Sequence, residues 1–438
     1  MAKLSISGGR ALKGKVTISG AKNACLPIIA ASIMMDGPTV LTGVPHLTDV
    51  DILCAMLREL GVNVHGIGRS RLLIEVARDD LWRAPDELVT QMRASVCLLG
   101  PLLARRGRAQ MPLPGGCVIG QRPIDLHVKG LRALGAEIHA EMGRLHASAG
   151  RLKGARINLG GPNGSTVLGT ANVMTAAVLA DGVTVIEHAA REPEVQDLAA
   201  YLSACGARIS GAGTSTVTIE GVKRLTGASH SVIPDRIEAG TFAAAAAITG
   251  GDVTLQNVRA DHMGATMATM KRMGVRLETG EDSMRVWCDA PLSQTDVLAM
   301  PYPGVPTDMQ PLLLALLCVG EGRSLVADSV FPDRFNQVEE MCKMGALITR
   351  RRSQVVVRGP AHLTGAQVTA KELRGGASLV LAALAAEGDS EVDGISHVDR
   401  GYAQLEDRLT TLGAQVVRTG AAPAEADLWQ EPPRRTAL

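Results

Sequence analysis

Cys117 lies in a segment, residues 112–120, that is unusually rich in glycine and proline. Such a composition is incompatible with a helix or a central strand, so we expect a loop. Arg122 follows five residues later, and a nearby cation lowers the pKa of a thiol from its usual value of about 8.5. The other cysteines are interpreted as small buried hydrophobic residues. Cys117 is therefore the candidate for a thiol that exchanges a proton near neutral pH.

Charged and amide side chains stand immediately before several apolar stretches of the chain. Helix N-termini carry unpaired N–H groups and about half a positive charge, so several such helices facing one cleft would bind an anion. Ordinary helix capping is the alternative at any single position. Four basic residues at corresponding points favour an anionic ligand. The residues are Lys22 with Asn23, Arg93, Arg236 with Glu238, Asp308, and Arg374.

Asp308 is the candidate proton acceptor among these residues. It stands in the sequence PTDMQ, just before the apolar stretch 310–319. A helix N-terminus stabilises the ionised carboxylate that a general base requires. On this pattern alone, Asp308 could equally be a helix N-cap.

These residues fall into register because the chain contains six copies of one unit. A phrase that closes an amphipathic helix and opens a strand recurs as LRELGVNV, LRALGAEI, LSACGARI, MKRMGVRL, MCKMGALI and LTTLGAQV. Its glycines are Gly61, Gly135, Gly206, Gly274, Gly345 and Gly413, so successive numbers differ by 74, 71, 68, 71 and 68. Each glycine follows the last apolar residue, where a left-handed backbone is easiest without a Cβ atom.

Each unit also contains a stretch that is apolar on nearly all sides of a helix. These stretches are 24–35, 94–104, 171–180, 239–248, 310–319 and 376–386. A helix without a polar face must be surrounded by protein, and the β-rich segments that follow suit a covering sheet. A chain of 438 residues also exceeds the size of about 250–300 residues at which a single core stops growing. We predict an α/β fold of two inside-out domains, each of three repeats with buried helices and outer sheets.

The balance of charge excludes several classes of partner. The chain has 45 basic and 44 acidic residues with no long run of one sign, which argues against nucleic acid and membrane surfaces. Aromatic residues make up only 2%, which leaves little for base stacking. The cysteines form no CxxC pair, so neither a zinc site nor a disulfide framework is indicated, and a reducing cytoplasm fits best. The apolar stretch 24–35 is too short to span a bilayer.

Seven motifs spread along the chain resemble those of the enolpyruvyl transferases that act on UDP-N-acetylglucosamine. They are ISGAKNACLP at 18–27, MRAS at 92–95, LPGGCVIGQRPIDLH at 113–127, AREPEV at 190–195, IPDRIE at 233–238, PTDMQ at 306–310 and HVDRGY at 397–402. The related 5-enolpyruvylshikimate-3-phosphate synthases share fold and chemistry but lack the cysteine loop. Cys117 therefore distinguishes the two groups.

The resemblance also implies a division of the chain into domains. In that fold the first strand belongs to the C-terminal domain. We therefore expect an N-terminal domain over residues 22–232 and a C-terminal domain over residues 1–21 plus 233–420. Residues 421–438, which are rich in proline and arginine, are expected to form a disordered tail.

The reaction implied by the resemblance is transfer of the enolpyruvyl group of phosphoenolpyruvate to the 3-hydroxyl of UDP-N-acetylglucosamine, with release of phosphate. This is the first committed step of peptidoglycan precursor synthesis and needs no metal or organic cofactor. We expect a cytoplasmic enzyme whose partners are these two small molecules, with no nucleic acid or membrane partner.

The resemblance assigns roles to individual residues. Cys117 would protonate the methylene carbon of phosphoenolpyruvate and could form a covalent pyruvate adduct, Asp308 would be the base, and Lys22 would assist. The implied phosphoenolpyruvate contacts are Lys22, Asn23, Arg122, Arg374 and Arg400. The implied UDP-N-acetylglucosamine contacts are Asn23, Arg93, Arg122, Pro123, Ile124, Asp125, Leu126, Gly164, Ser165, Thr166, Val167, Asp308 and Val330.

The sequence departs from some relatives at four places, which are Cys97, Gly164, Glu372 and Asn336-Gln337. Some relatives have tryptophan at the first, a lysine near the second and aspartate at the third. The departures at Cys97 and near residues 164–167 leave open a different uridine nucleotide as acceptor. Other function classes fit less well. Gly66-Ile-Gly68 and Gly211-Ala-Gly213 lack the third glycine of a dinucleotide-binding fingerprint, and a non-enzymatic repeat scaffold does not require polar residues at selected helix starts.

Overall fold

The computed structural model describes residues 2–113, 119 and 123–420. Its α-helices are α1 (Lys22–Ala31), α2 (Thr48–Glu59), α3 (Asp86–Val89), α4 (Leu99–Arg106), α5 (Asp125–Ala133), α6 (Val167–Ala177), α7 (Pro193–Ala204), α8 (Arg236–Ile248), α9 (Gly264–Arg272), α10 (Gln310–Val319), α11 (Val338–Lys343), α12 (Leu373–Ala385), α13 (Ser396–Asp399) and α14 (Leu405–Thr411). Short 3₁₀ helices cover Ser32–Met34, Arg93–Leu98, Ala260–Met263 and Thr307–Met309.

The strands are short and follow the repeat. They are β1 (Lys3–Ser7), β2 (Lys13–Thr17), β3 (Met35–Asp36), β4 (Thr39–Thr42), β5 (Val62–His65), β6 (Arg71–Val76), β7 (Arg108–Pro112), β8 (Glu137–Glu141), β9 (Arg144–Ser148), β10 (Arg156–Asn158), β11 (Gly160–Gly161), β12 (Gly164–Ser165), β13 (Val183–Glu187), β14 (Arg208–Ser210), β15 (Thr216–Glu220), β16 (Leu225–Thr226), β17 (Ser229–Ser231), β18 (Asp252–Gln256), β19 (Arg276–Thr279), β20 (Ser283–Trp287), β21 (Val297–Ala299), β22 (Gly322–Asp328), β23 (Leu347–Arg351), β24 (Gln354–Gly359), β25 (Gln367–Thr369), β26 (Asp389–Asp393) and β27 (Gln415–Thr419).

Each of the six repeats contributes one outer sheet. The sheets of the first half have the strand orders β17-β4-β6-β5, β7-β9-β8 and β10-β13-β15-β14. Those of the second half are β2-β18-β20-β19, β21-β22-β24-β23 and β25-β26-β1-β27. The four-stranded sheets share one pattern, in which an edge strand runs parallel to its neighbour and the remaining pairs are antiparallel. In the second repeat, a parallel bridge between Arg83 and Gln110 stands where that edge strand would lie.

The chain start completes sheets of the second half. β1 lies between β26 and β27, and β2 is the parallel edge next to β18. The hydrophobic residues form two cores, one drawn from the segment between Ala21 and Val232, the other from Leu4 to Ile18 and from Ile237 to Val416. Both observations support the proposed division of the chain near residues 21 and 233.

The apolar helices lie inside the cores, which agrees with the predicted inside-out α/β fold. α8, α10 and α12 pack against one another in the second half, and α1 packs against α6 in the first. The predicted helix 94–104 differs in detail, because Arg93–Leu98 is 3₁₀ and the α-helix starts at Leu99. This start places Pro101 in the first turn, where its missing N–H leaves no intrahelical hydrogen bond unmade.

The repeated glycines close the outer helices in the expected conformation. Their φ angles are all positive, between 78° and 101°, for Gly61, Gly135, Gly206, Gly274, Gly345 and Gly413. This confirms the predicted left-handed helix ends. None of the helices in the described ranges is long and apolar enough to cross a membrane.

Candidate active site

Asp308 is held between two buried arginines at the start of α10. Its Oδ1 accepts a 2.6 Å hydrogen bond from Nη1 of Arg334, and its Oδ2 lies 3.3 Å from Nε of Arg374. The side chains of both arginines are at least 97% buried. Burial alone would raise the pKa of Asp308, but the charges of the two arginines outweigh it and hold that pKa well below its ordinary value. The charge of Lys22 acts in the same direction. Asp308 is therefore ionised across the physiological pH range.

Glu372 fixes both arginines. It is the N-cap of α12, and its carboxylate accepts hydrogen bonds from the backbone N–H groups of Arg374 (2.8 Å) and Gly375 (2.6 Å). The same carboxylate lies 3.2 Å from Nη2 of Arg334. The glutamate that departs from some relatives thus caps this helix and binds Arg334 at once.

Arg374 keeps its guanidinium fork available. Nη1 and Nη2 are buried, and neither has a hydrogen-bond partner among the described residues. The guanidinium lies 5.0 Å from the ring centroid of Tyr402, which supports it from one face. Two buried donors without acceptors are costly unless an anion or water occupies the space beside them. This arrangement can bind a carboxylate or phosphate in a bidentate manner.

A second cluster joins the two halves of the molecule. Asp49, in the first turn of α2, contacts Lys22 through Oδ2 (Nζ at 3.2 Å) and Arg400 through Oδ1 (Nε at 2.9 Å). Lys22 is the first residue of α1, and its backbone N–H donates to Asp235 at 3.4 Å. Arg400 follows α13 and belongs to the second half. Cations from both halves therefore meet at one carboxylate.

A third contact between the halves lies at the start of α8. Arg236 binds Glu194 through two hydrogen bonds of 2.9 and 3.2 Å, and both side chains are at least 91% buried. Nearby, Glu192 accepts from the backbone N–H of Tyr302 at 3.4 Å. Burial raises the pKa of Glu192. Arg236 is thus used by an internal ion pair.

The β11–β12 hairpin, which carries the predicted acceptor residues Gly164 and Ser165, lies in the first half and approaches loops of the second. Asn163, at the turn of the β11–β12 hairpin, donates a 3.2 Å hydrogen bond from its side-chain amide to the carbonyl of Val330. A Cβ atom added at Gly164 would lie 2.6 Å from Cγ of Pro301. Leu126 approaches the same hairpin, since a Cβ at Gly161 would lie 3.1 Å from its Cδ1. The hairpin therefore closes one side of the space between the halves.

The remaining predicted positions sit at element starts. Asn23 is the second residue of α1, and Arg93 opens its 3₁₀ helix. Thr166 is the N-cap of α6, and its side chain accepts a 3.2 Å hydrogen bond from the backbone N–H of Gly169. Ser165 lies in β12, and Val167 is the first residue of α6. Pro123 and Ile124 lead into α5, which begins at Asp125. Cys117 and Arg122 lie outside the described residues, as does the tail 421–438.

Sequence reasoning assigned no role to Asp49, Arg334 or Glu194, although Glu194 lies in the motif AREPEV. Their partners are 27, 26 and 42 residues away along the chain, or 351 for Asp49 with Arg400. Asp49 has the appearance of an ordinary acidic residue in a first helical turn, and Arg334 that of a surface arginine in a loop. What distinguishes these residues is that their charged side chains are buried, and burial of a charge is not visible in the sequence.

Comparisons with known proteins agree along nearly the whole chain. The family model described as EPSP synthase (3-phosphoshikimate 1-carboxyvinyltransferase) matches residues 6–409. The chain is 46% identical over 419 residues to the UDP-N-acetylglucosamine 1-carboxyvinyltransferase of Methylacidiphilum infernorum, covering 95% of this chain and 99% of that protein. It is 48% identical over 407 residues to the UDP-N-acetylglucosamine 1-carboxyvinyltransferase 1 of Caldanaerobacter subterraneus, covering 93% and 97%.

Solved structures show the same architecture. The enolpyruvyl transferase NikO from Streptomyces tendae superposes with a TM-score of 0.87 at 25% identity, covering 96% of this chain and 99% of that one. EPSP synthase from Acinetobacter baumannii superposes with a TM-score of 0.74 at 20% identity, covering 96% and 100%.

Proposed function

The chain belongs to the EPSP synthase family, and on that premise we propose that it transfers the enolpyruvyl group of phosphoenolpyruvate to the 3-hydroxyl of UDP-N-acetylglucosamine, releasing phosphate. The observation that carries the choice of acceptor is the identity of 46–48% to near full-length relatives named for this activity. The Cys117 loop motif in the sequence supports the same choice.

Phosphoenolpyruvate binds to the cations between the two halves. It carries a phosphate and a carboxylate, so its site needs several fixed positive charges. Lys22 and Arg400 meet at Asp49, and the buried fork of Arg374 has no acceptor among the described residues. Arg122, which lies outside the described residues, and Asn23 complete the proposed set.

Asp308 accepts the proton of the sugar hydroxyl. Its low pKa keeps it ionised and ready to accept, but also makes it a weak base in the ligand-free protein. An anion bound to Arg374 would partly neutralise the positive charge that lowers the pKa of Asp308. The negative charge of the substrate would also raise this pKa directly. Binding of phosphoenolpyruvate thereby increases the basicity of Asp308 when the proton must move.

The reaction is an addition followed by an elimination. Cys117 donates a proton to the methylene carbon, and the sugar oxygen forms a bond to the adjacent carbon as Asp308 takes the hydroxyl proton. The tetrahedral intermediate then loses phosphate, and the Cys117 thiolate takes a proton from the methyl carbon as the double bond is restored. Asp308 gives its proton to the departing phosphate, so both groups return to their starting states. Fixed cations around the oxyanions stabilise both steps, a contribution that is usually worth several kcal/mol.

UDP-N-acetylglucosamine occupies the space beside the β11–β12 hairpin. Arg93, the residues 123–126, the residues 164–167 and Val330 are its proposed contacts, in addition to Asn23, Arg122 and Asp308. The substrates are small molecules, and we propose that the enzyme is cytoplasmic.

Phosphate release tests the proposal directly. The protein is incubated with phosphoenolpyruvate and UDP-N-acetylglucosamine, and other uridine diphosphate sugars are compared as acceptors in the same assay. We expect UDP-N-acetylglucosamine to give the highest kcat/KM. Asp308→Asn should lower kcat by about 10²–10⁴-fold, the usual contribution of a general base, whereas Asp333→Asn, at an exposed aspartate nearby, should not. No phosphate release with any acceptor would refute the proposal.

A further inference from the structure

Asp49 occupies an unusual position, because a buried carboxylate binds two cations from opposite halves of the molecule. Its side chain is 5% exposed, that of Lys22 10%, and that of Arg400 37%. Asp49 and Lys22 belong to the first half, whereas Arg400 comes from a point 351 residues further along the chain. Asp49 is thus the side chain through which Arg400 is tied to Lys22.

The geometry leaves most donors of the two cations unused by Asp49. Lysine has three N–H donors and arginine five, and each cation gives one atom to a different oxygen of Asp49. Arg400 uses Nε, so the Nη1 and Nη2 groups are not engaged by this carboxylate. A group that fixes two cations while sparing their remaining donors prepares them for an external anion.

We infer that Asp49 is a positioning residue that holds Arg400 of the second half beside Lys22 of the first, and so assembles the phosphoenolpyruvate site before the substrate binds. This inference rests on the proposed function, because it takes Lys22 and Arg400 as phosphoenolpyruvate contacts. Arg400 is the least buried of the three side chains, so it is the one that moves when Asp49 no longer holds it.

Asp49→Asn is the direct test. The amide keeps one acceptor oxygen but presents an N–H₂ group to the second cation, so only one of the two contacts survives. We expect the KM for phosphoenolpyruvate to rise about tenfold or more, as for loss of a hydrogen bond to a charged group, with the KM for the acceptor within about twofold of wild type. A purely structural role would instead change both KM values together.

Asp51→Asn is the matched control. Asp51 lies in the same first turn of α2 and would lose the same charge, but its Oδ1 is buried without a partner among the described residues and it makes no contact with either cation. Its KM for phosphoenolpyruvate should equal that of the wild type. If Asp49→Asn and Asp51→Asn have the same KM values while the wild-type enzyme is active, the inference is wrong. An inactive wild type would refute the proposed function instead.

A double-mutant cycle separates action through Arg400 from any other role. In an Arg400→Gln background, Asp49→Asn should raise the KM for phosphoenolpyruvate little further, because the residue that it positions is gone. If the two effects multiply, Asp49 does not act through Arg400. Should Asp49→Asn fail to fold, Asp49→Glu replaces it in the cycle. The longer side chain keeps the charge but shifts the oxygens, so it should raise this KM in the wild-type background and not in the Arg400→Gln background; equal effects in both would overturn the inference.

Discussion

Asp308 and Arg334 are joined by a hydrogen bond of 2.6 Å between Oδ1 and Nη1, although 26 residues separate them in the chain. Arg334 is in turn fixed by Glu372 at 3.2 Å, so its guanidinium lies between two carboxylates. The proposed base is therefore tuned by a residue that stands in no recognised substrate-binding motif of this sequence.

Replacing Arg334 should shift the pH dependence of the reaction. Arg334 lowers the pKa of Asp308, so Arg334→Gln should raise that pKa. Activity requires ionised Asp308, so the acidic limb of the profile of kcat against pH should move to higher pH. Arg350→Gln, at an exposed arginine that pairs with Asp333, serves as the control and should leave the limb in place. An unshifted limb in Arg334→Gln would mean that Asp308 does not set it.

Cys117→Asp tests the proposed acid, which lies outside the described residues. A carboxylic acid can also donate a proton, so some turnover should remain. A carboxylate is not alkylated as a thiolate is, so inactivation by a thiol-alkylating epoxide such as fosfomycin should be lost. Cys342 is exposed, so its predicted burial was wrong, whereas the other six described cysteines are buried. Cys342→Ser should be inactivated like the wild type. If the epoxide inactivates Cys117→Asp at the same rate as the wild type, Cys117 is not the residue that it alkylates.

Asp51 should make folding less favourable at neutral pH. Burial raises its pKa from 3.8 to about 6, so above that pH the folded state holds a carboxylate that would be easier to ionise in the unfolded chain. Asp51→Asn should therefore increase the free energy of unfolding at pH 7.5, by on the order of 1 kcal/mol after allowance for partial exposure. As the pH falls from 7.5 to 4, folded Asp51 becomes protonated while the unfolded residue stays partly ionised, so most of the gain should be lost.

Urea unfolding at pH 7.5 and at pH 4 measures this difference. Glu59→Gln, at the exposed end of the same helix, is the control and should stay within about 0.5 kcal/mol of wild type at both values. A gain in Asp51→Asn that is as large at pH 4 as at pH 7.5 would assign the effect to packing rather than to ionisation.

The features that could be predicted from the sequence depend on local patterns of residues. The inner helices follow from stretches that are apolar all round, and the ends of the outer helices follow from glycines such as Gly61 that must adopt positive φ. The motif resemblance is confirmed by the family match and by near full-length relatives. Each of these features is local, or repeats at a fixed interval, and so is visible in one chain.

Long-range pairing is what one chain does not reveal. Nothing local to Asp49 indicates that Arg400 will reach it, and nothing near Arg334 indicates its burial beside Asp308. The roles assigned to site residues stay predictions until the variants are measured.

Gly164 should be required for the close approach of the β11–β12 hairpin to Pro301 beside the proposed acceptor site. Its φ is +101°, a conformation that costs other residues about 1–2 kcal/mol, and an added Cβ would lie 2.6 Å from Cγ of Pro301 in the other half. Gly164→Ala should therefore push the hairpin away from Pro301 and raise the KM for UDP-N-acetylglucosamine by about tenfold, with the KM for phosphoenolpyruvate little changed.

Two further variants separate the clash from backbone strain in this prediction. Gly143→Ala introduces the same side chain at another glycine of positive φ (74°), where the Cβ would meet nothing within 4 Å, so it should affect stability but not the acceptor KM. Pro301→Ala in the Gly164→Ala background removes the Cγ atom that the new methyl group meets and should recover part of the lost affinity. If Gly164→Ala leaves the acceptor KM unchanged, the approach of the hairpin to Pro301 does not contribute to binding of the nucleotide.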